Sequence, residues 1–198
     1  MTRDGPRSPL SIYQPQIRDN VELALPLREG DFEVVTTLAG TRHTTEWTPL
    51  PVEVVSVESG AQLEYSDFPY FGDHVLVLSD QARELLAPIV EDKGGELLPL
   101  ACRARRLWLL NAYAVVDALD QDRSVVERFE SGRIMRIEKL AFLADRLQGL
   151  NVFKMAQDER GPLYLRDAFV RAIEATPLVG YGFRLVWTNE AGPGPDVP

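Results

Sequence analysis

Two histidines, one cysteine and a few carboxylate clusters are the side chains in this sequence with the types and spacing for chemistry. His43 lies in a Thr-rich stretch, and His74 opens an apolar run directly after Asp73. With Asp67, the pair Asp73 and His74 is the strongest acid–base candidate. Carboxylates that share a cleft, or that orient an imidazole, can give and take a proton. Such a hydrolase-like site requires the three groups to converge around the aromatic loop 67–73, DFPYFGD. No nucleophile motif of the G-x-S-x-G kind accompanies them. No Gly-rich phosphate loop lies between a strand and a helix.

Cys102 is followed by Arg103, Arg105 and Arg106. Nearby cations lower a thiol pKa, but a half-buried strand cysteine beside a solvated arginine face is the expected arrangement. The acidic run 117–122, DALDQD, only superficially resembles a calcium loop. Its sixth position is Asp122, where glycine is required, and its twelfth is Arg128, where glutamate is required. These carboxylates are expected to serve turns and caps. Two histidines about 30 residues apart and one cysteine do not make a metal set. No metal, cofactor or catalytic residue is therefore expected.

Bulk composition narrows the function classes. The chain has 198 residues, 45% hydrophobic and 26% charged, which is ordinary globular composition with enough length for one well-filled core. A single domain over residues 1–188 and a flexible Gly/Pro-rich tail at 189–198 are expected. No apolar run follows the N-terminal charges, and no stretch approaches a membrane span, so a cytoplasmic setting is expected. The net charge is −9, and residues 1–70 hold eleven Asp/Glu against five Lys/Arg. An acidic chain is repelled by nucleic acid and by anionic membranes. It attracts and steers a basic protein.

The elements that must position these residues read as α+β, mostly antiparallel sheet with a few short helices. Strands are expected at 11–18, 32–38, 52–57, 74–78, 96–101, 105–110, 152–155 and 181–187. Residues 124–129 and 134–138, with Ser131-Gly132 between them, read as a hairpin. Ser79 stands where an N-cap belongs, ahead of a helix at 80–90 with Ala82, Leu85, Leu86, Ile89 and Val90 on one face. A second amphipathic helix is expected at 166–175, with Phe169, Val170 and Ile173 inward. Residues 115–119 read as a short turn or helix, and 144–147 as a helical turn. The last strand is expected to carry Tyr181, Phe183, Leu185 and Trp187 on one face.

From His74 onward the sequence resembles a large family of bacterial immunity proteins from polymorphic-toxin and contact-dependent competition systems. The matching blocks are VLSDQARELL (77–86), LPL (98–100), LLNAYAVVDALDQDRS (109–124), SGRIMRIEKLAF (131–142), LQGLNVFKM (147–155), LYLRDAFVRAIE (163–174) and LVGYGFRLVW (178–187). Their order and spacing carry the likeness over about 115 residues. Residues 1–70 hold no matching block, as a variable region would. The resemblance implies a cytosolic protein that neutralises a cognate toxin domain by binding it, with no catalytic residues. The toxin's activity differs between members.

A specific interface buries about 1,600 Å² in total, and its anchors favour aromatic residues. Aromatics flanked by acids mark the expected partner-binding residues: Asp67, Tyr70, Phe71 and Asp73 on the aromatic loop, with Asp120 and Asp122. The acidic balance points to a basic toxin. A regulatory or scaffold module, and the carboxylate-site hydrolase, are the alternatives.

Overall fold

The computed structural model describes residues 9–36, 38, 40–72, 74–132 and 134–189. In chain order the first strands are β1 (Ser11–Pro15), β2 (Leu23–Pro26), β3 (Pro51–Val55), β4 (Val57–Glu58), β5 (Ala61–Gln62), β6 (Leu76–Ser79) and β7 (Gly95–Cys102). The remainder are β8 (Leu107–Ala112), β9 (Val115–Val116), β10 (Val125–Arg128), β11 (Ile134–Lys139), β12 (Val152–Met155), β13 (Tyr164–Arg166) and β14 (Phe183–Thr188). The helices are α1 (Asp31–Thr36), α2 (Asp80–Val90) and α3 (Asp167–Glu174), with a 3-10 turn at Ala144–Leu147.

The α+β class expected from the pattern is what forms. One five-stranded sheet has the order β14-β1-β13-β12-β9, and the other β2-β3-β7-β8-β6. Two-stranded ribbons β10-β11 and β4-β5 stand apart. All pairings are antiparallel except β3 with β7 and β9 with β12. Among the described residues, no helix is long and apolar enough to cross a membrane.

Period-2 alternation sorts the side chains into three clusters. On β8, Leu110 and Ala112 face the helices, whereas Leu107 and Leu109 face an outer cluster with Val35, Leu38 and Phe71. α2 and α3 fill the space between the sheets, joined by Leu76, Leu78 and Leu97 from one and Val152 and Leu165 from the other. The far face of the first sheet carries a third cluster in which Phe142 meets Phe153, Tyr164 and Trp187 edge-to-face at 5.4–5.8 Å.

Local chemistry explains the joints. Ser79 Oγ accepts the Ala82 N–H at 3.1 Å and caps α2. Ala82, Leu86 and Val90, one helical turn apart, are fully buried. At the following turn, Gly94 has φ +102° and a Cβ there would overlap the Val152 carbonyl. A Cβ on Gly95 would lie 2.6 Å from Val152 Cγ2, so this pair lets β12 approach the turn.

Four expectations change. Residues 31–36 are helical rather than extended: Asp31, Val35 and Leu38 are the buried positions, at helical spacing, despite the β-branched run. Val115–Val116 is a strand, because β12 supplies a parallel partner some 40 residues later. Residues 164–166 form β13, which lies between β1 and β12. On β14 the register shifts opposite Ile12 and Tyr13. This bulge puts Val186 and Trp187 together in the far-face cluster, while Phe183 packs on the helix side.

Candidate functional site

The aromatic loop is built around Asp67, which is 3% exposed. Its Oδ1 accepts hydrogen bonds from Ser79 Oγ at 2.6 Å and Tyr65 OH at 3.0 Å. Its Oδ2 accepts the Val179 N–H at 3.0 Å. The carboxylate therefore ties the loop to the α2 cap and to the segment before β14, and a partner would not reach it. Phe71 is also buried, stacked on Phe32 at 5.7 Å. Tyr70 is half-buried, and its backbone pairs with Glu22 and Ala24. Asp73 lies outside the described residues. His74 is half-exposed, with its Nδ1 shut from solvent and without a hydrogen-bond partner among the described residues.

Asp120 and Asp122 sit on a separate turn before β10. Asp120 Oδ1 accepts the N–H groups of Asp122 and Arg123, each at 3.2 Å, while Asp122 is exposed. Asp117 accepts from Gln157. These carboxylates shape turns and contacts, and no metal-holding group of three is found among the described residues. Asp120 lines a depression of about 320 Å³ that shares no residue with the cleft beside Tyr70. The two halves of the expected docking set are thus not brought into one cavity.

The arginine cluster is a turn between β7 and β8 rather than the solvated face of a strand. Arg105 turns inward to Glu22 at 2.6 Å and to the Ser66 carbonyl at 3.0 Å, with Tyr65 under its guanidinium. Cys102 is half-buried against the outer cluster.

Two of the buried ionisable groups that the sequence did not mark are Glu96 and Lys154. Glu96 is 5% exposed and paired across from Asn111. It accepts from the His43 N–H at 2.6 Å, Asn111 Nδ2 at 2.7 Å, the Thr44 N–H at 3.2 Å and the Thr44 hydroxyl. Burial pushes its pKa up, but these donors outweigh that and hold it below the ordinary carboxylate value. The readable signal was a glutamate in phase with Leu98 and Leu100. Lys154 is 1% exposed, and its Nζ has no hydrogen-bond partner among the described residues. Burial lowers its pKa, with Asp158 opposing the shift.

A cleft of about 540 Å³ separates the β10–β11 ribbon from the β1 and β14 side of the first sheet. Its floor contains Tyr164, 2% exposed, and Gln14, 7% exposed. The Tyr164 hydroxyl bonds to Gln14, and burial pushes its pKa up. Gln14 Oε1 accepts from Arg184 Nη2 at 2.7 Å. Ile17 and Met135, both roughly half-exposed, stand at the margins, and Tyr70, His74 and Asp158 also line it. Apolar walls around a few convergent polar groups, at this volume, make a binding cleft.

No protein-family model matches the chain, and no curated protein matches it significantly.

Proposed function

We propose that this chain is an immunity protein, which binds and neutralises a cognate bacterial toxin domain in the cytosol of the producing cell without catalysis. The carrying observation is the apolar surface around the cleft. Ile17 is 48% exposed and Met135 53%, both line the cleft, and Met135 belongs to a ribbon that stands apart from both five-stranded sheets. Large apolar side chains grouped at a cleft mark interaction surfaces. The ordered resemblance over residues 74–187 supports the same reading.

Charge gives the encounter its direction. Glu29, Glu53, Glu58 and Glu64 of the acidic first third are exposed. They would speed capture of a basic toxin, an effect that added salt weakens. Asp67, internally bonded, has no part in this attraction.

Co-expression tests the proposal. Cells producing the variable C-terminal domain of a large secreted protein encoded next to this chain are expected to survive when the chain is present. The purified pair is expected to co-migrate on gel filtration. Absence of rescue would overturn the reading.

A further inference from the structure

We infer that the cleft beside the β10–β11 ribbon receives an acidic side chain of the partner, flanked by apolar residues, with Arg184 as its anchor. The inference rests on the protein-binding reading and adds the chemistry of the segment bound.

The first ground is how Arg184 is held. Several guanidiniums among the described residues face a carboxylate: Arg105 meets Glu22, Arg106 meets Asp80, and Arg171 meets Asp167. Arg136, at the cleft wall, is held by Glu127 and Glu138. Arg184 donates to a neutral oxygen, that of Gln14, whose side chain also bonds to Tyr164; Arg128 and Arg166 likewise donate to neutral carbonyls, but of the three only Arg184 lines the cleft. The side chain is oriented without being neutralised. A guanidinium has five donors in a planar fork, so this tether leaves others available. A carboxylate is the group that fits such a fork in two parallel bonds.

The second ground is the surroundings. His74 lines the same cleft and has its Nδ1 shut from solvent without a hydrogen-bond partner among the described residues. Ile17 and Met135 stand exposed on the margins. An acid between apolar residues would meet the exposed guanidinium of Arg184 and apolar contacts at the sides. Among the described residues Asp158 is the one carboxylate lining the cleft, and it forms no ion pair with Arg184. Its charge acts on the buried Lys154, whose ammonium it favours. Asp158 would repel the incoming acid at close range, so its removal should tighten binding. A partner that is basic overall can still present one acidic side chain. The exposed acids of the first third act at long range, and Arg184 acts at contact.

Two probes test this with the full chain. The first is the peptide acetyl-Ala-Leu-Glu-Leu-Ala-amide and its glutamine counterpart, titrated into isotope-labelled protein by NMR. The glutamate peptide is expected to shift the Arg184 Nε–H and the amides of residues 134–137. Arg184→Gln and the glutamine peptide should each weaken binding about tenfold, the scale of a charge-assisted pair. Asp158→Asn should strengthen it. Shifts elsewhere, or equal binding by Arg184→Gln, overturn the inference.

The second probe is the neighbouring toxin domain, with Arg184→Glu expected to weaken the complex at least tenfold. If the toxin binds and Arg184→Glu changes nothing, the anchor is wrong and the immunity reading stands. If the glutamate peptide binds through Arg184 but the toxin does not bind, the immunity reading fails and the acid-binding cleft stands. If neither binds, both fail. An unchanged melting temperature for the Arg184 variants shows that the loss is not unfolding.

Discussion

Replacing Glu96 by glutamine should destabilise this protein by about 2–3 kcal/mol at neutral pH. The carboxylate sits at 5% exposure and receives four donors, from His43, Thr44 and Asn111. Asn111 Nδ2 also donates to the Thr41 carbonyl at 3.0 Å, so the cluster pins residues 41–44 onto β7 and β8. Glutamine has the same shape and keeps one oxygen, which would remain with the His43 N–H and Asn111. Its amide would then point at the Thr44 N–H, donor against donor. Hydrogen bonds to a charged group are worth about 1.5–3 kcal/mol and neutral ones about 1. Weakening two bonds and leaving one donor unpaired costs about 4 kcal/mol. Relief from burying a charge returns part of that.

Urea unfolding reads the result. With a slope near the middle of the usual range, about 2 kcal/mol per molar, the midpoint should fall by roughly 1 M. The pH dependence gives a second reading. Because the folded-state pKa of Glu96 is lowered, its contribution is complete above the ordinary value of 4.5 and lost as pH falls through the folded value. The gap between wild type and Glu96→Gln should therefore be widest at neutral pH and close in acid below that value. A gap under about 0.5 kcal/mol at pH 7, the scale of a neutral surface substitution, would refute the reasoning. So would a gap that persists unchanged in acid.

Lys154→Met is expected to stabilise the protein at pH 7 by about 1–2 kcal/mol, since it replaces a buried amine with no hydrogen-bond partner among the described residues by an apolar side chain of similar volume. The lysine pKa is lowered from 10.5 in the fold, so the unfolded chain holds the extra proton and wild-type stability rises with pH towards that value. The advantage of methionine should shrink over the same window, and thermal melts from pH 7 to 11 would expose a wrong sign. Gly95→Ala should cost about 1–3 kcal/mol, the range for overpacking, because its Cβ would lie 2.6 Å from Val152 Cγ2 and 2.9 Å from Val90 Cγ1. Unchanged chemical denaturation in that variant would mean that β12 moves away freely.

The parts of the fold that were legible are those where one local rule acts alone. The Ser79 cap and the spacing of Ala82, Leu86 and Val90 give α2 with the expected ends, and apolar runs mark β7 and β8, the latter starting two residues after its expected start. Elements that depend on a distant partner were not legible. β9 is two residues long and β13 three, and each exists because β12 or β1 lies beside it. The β14 bulge likewise answers to β1, so no pattern within residues 181–187 marks where Trp187 changes face. Asp67 reads from the sequence as a loop acid among aromatics. Its burial depends on Ser79 and Val179, the second of them 112 positions away.

The same dependence on distant partners governs the cleft. Gln14 and Ile17 come from the acidic first third of the chain, and Tyr164, Arg184 and Met135 from the rest. β1 lies between β14 and β13, so the first third supplies an interior strand of the sheet that floors the cleft. A substitution at Gln14 would release Arg184 without touching the carboxylate-binding fork itself. Exposed acids of that same segment would alter the rate of encounter and leave the fork alone. Variation in residues 1–70 could therefore tune both capture and fit, through different side chains. Steering should show in the association rate and its salt dependence, whereas loss of the Gln14 tether should show in dissociation.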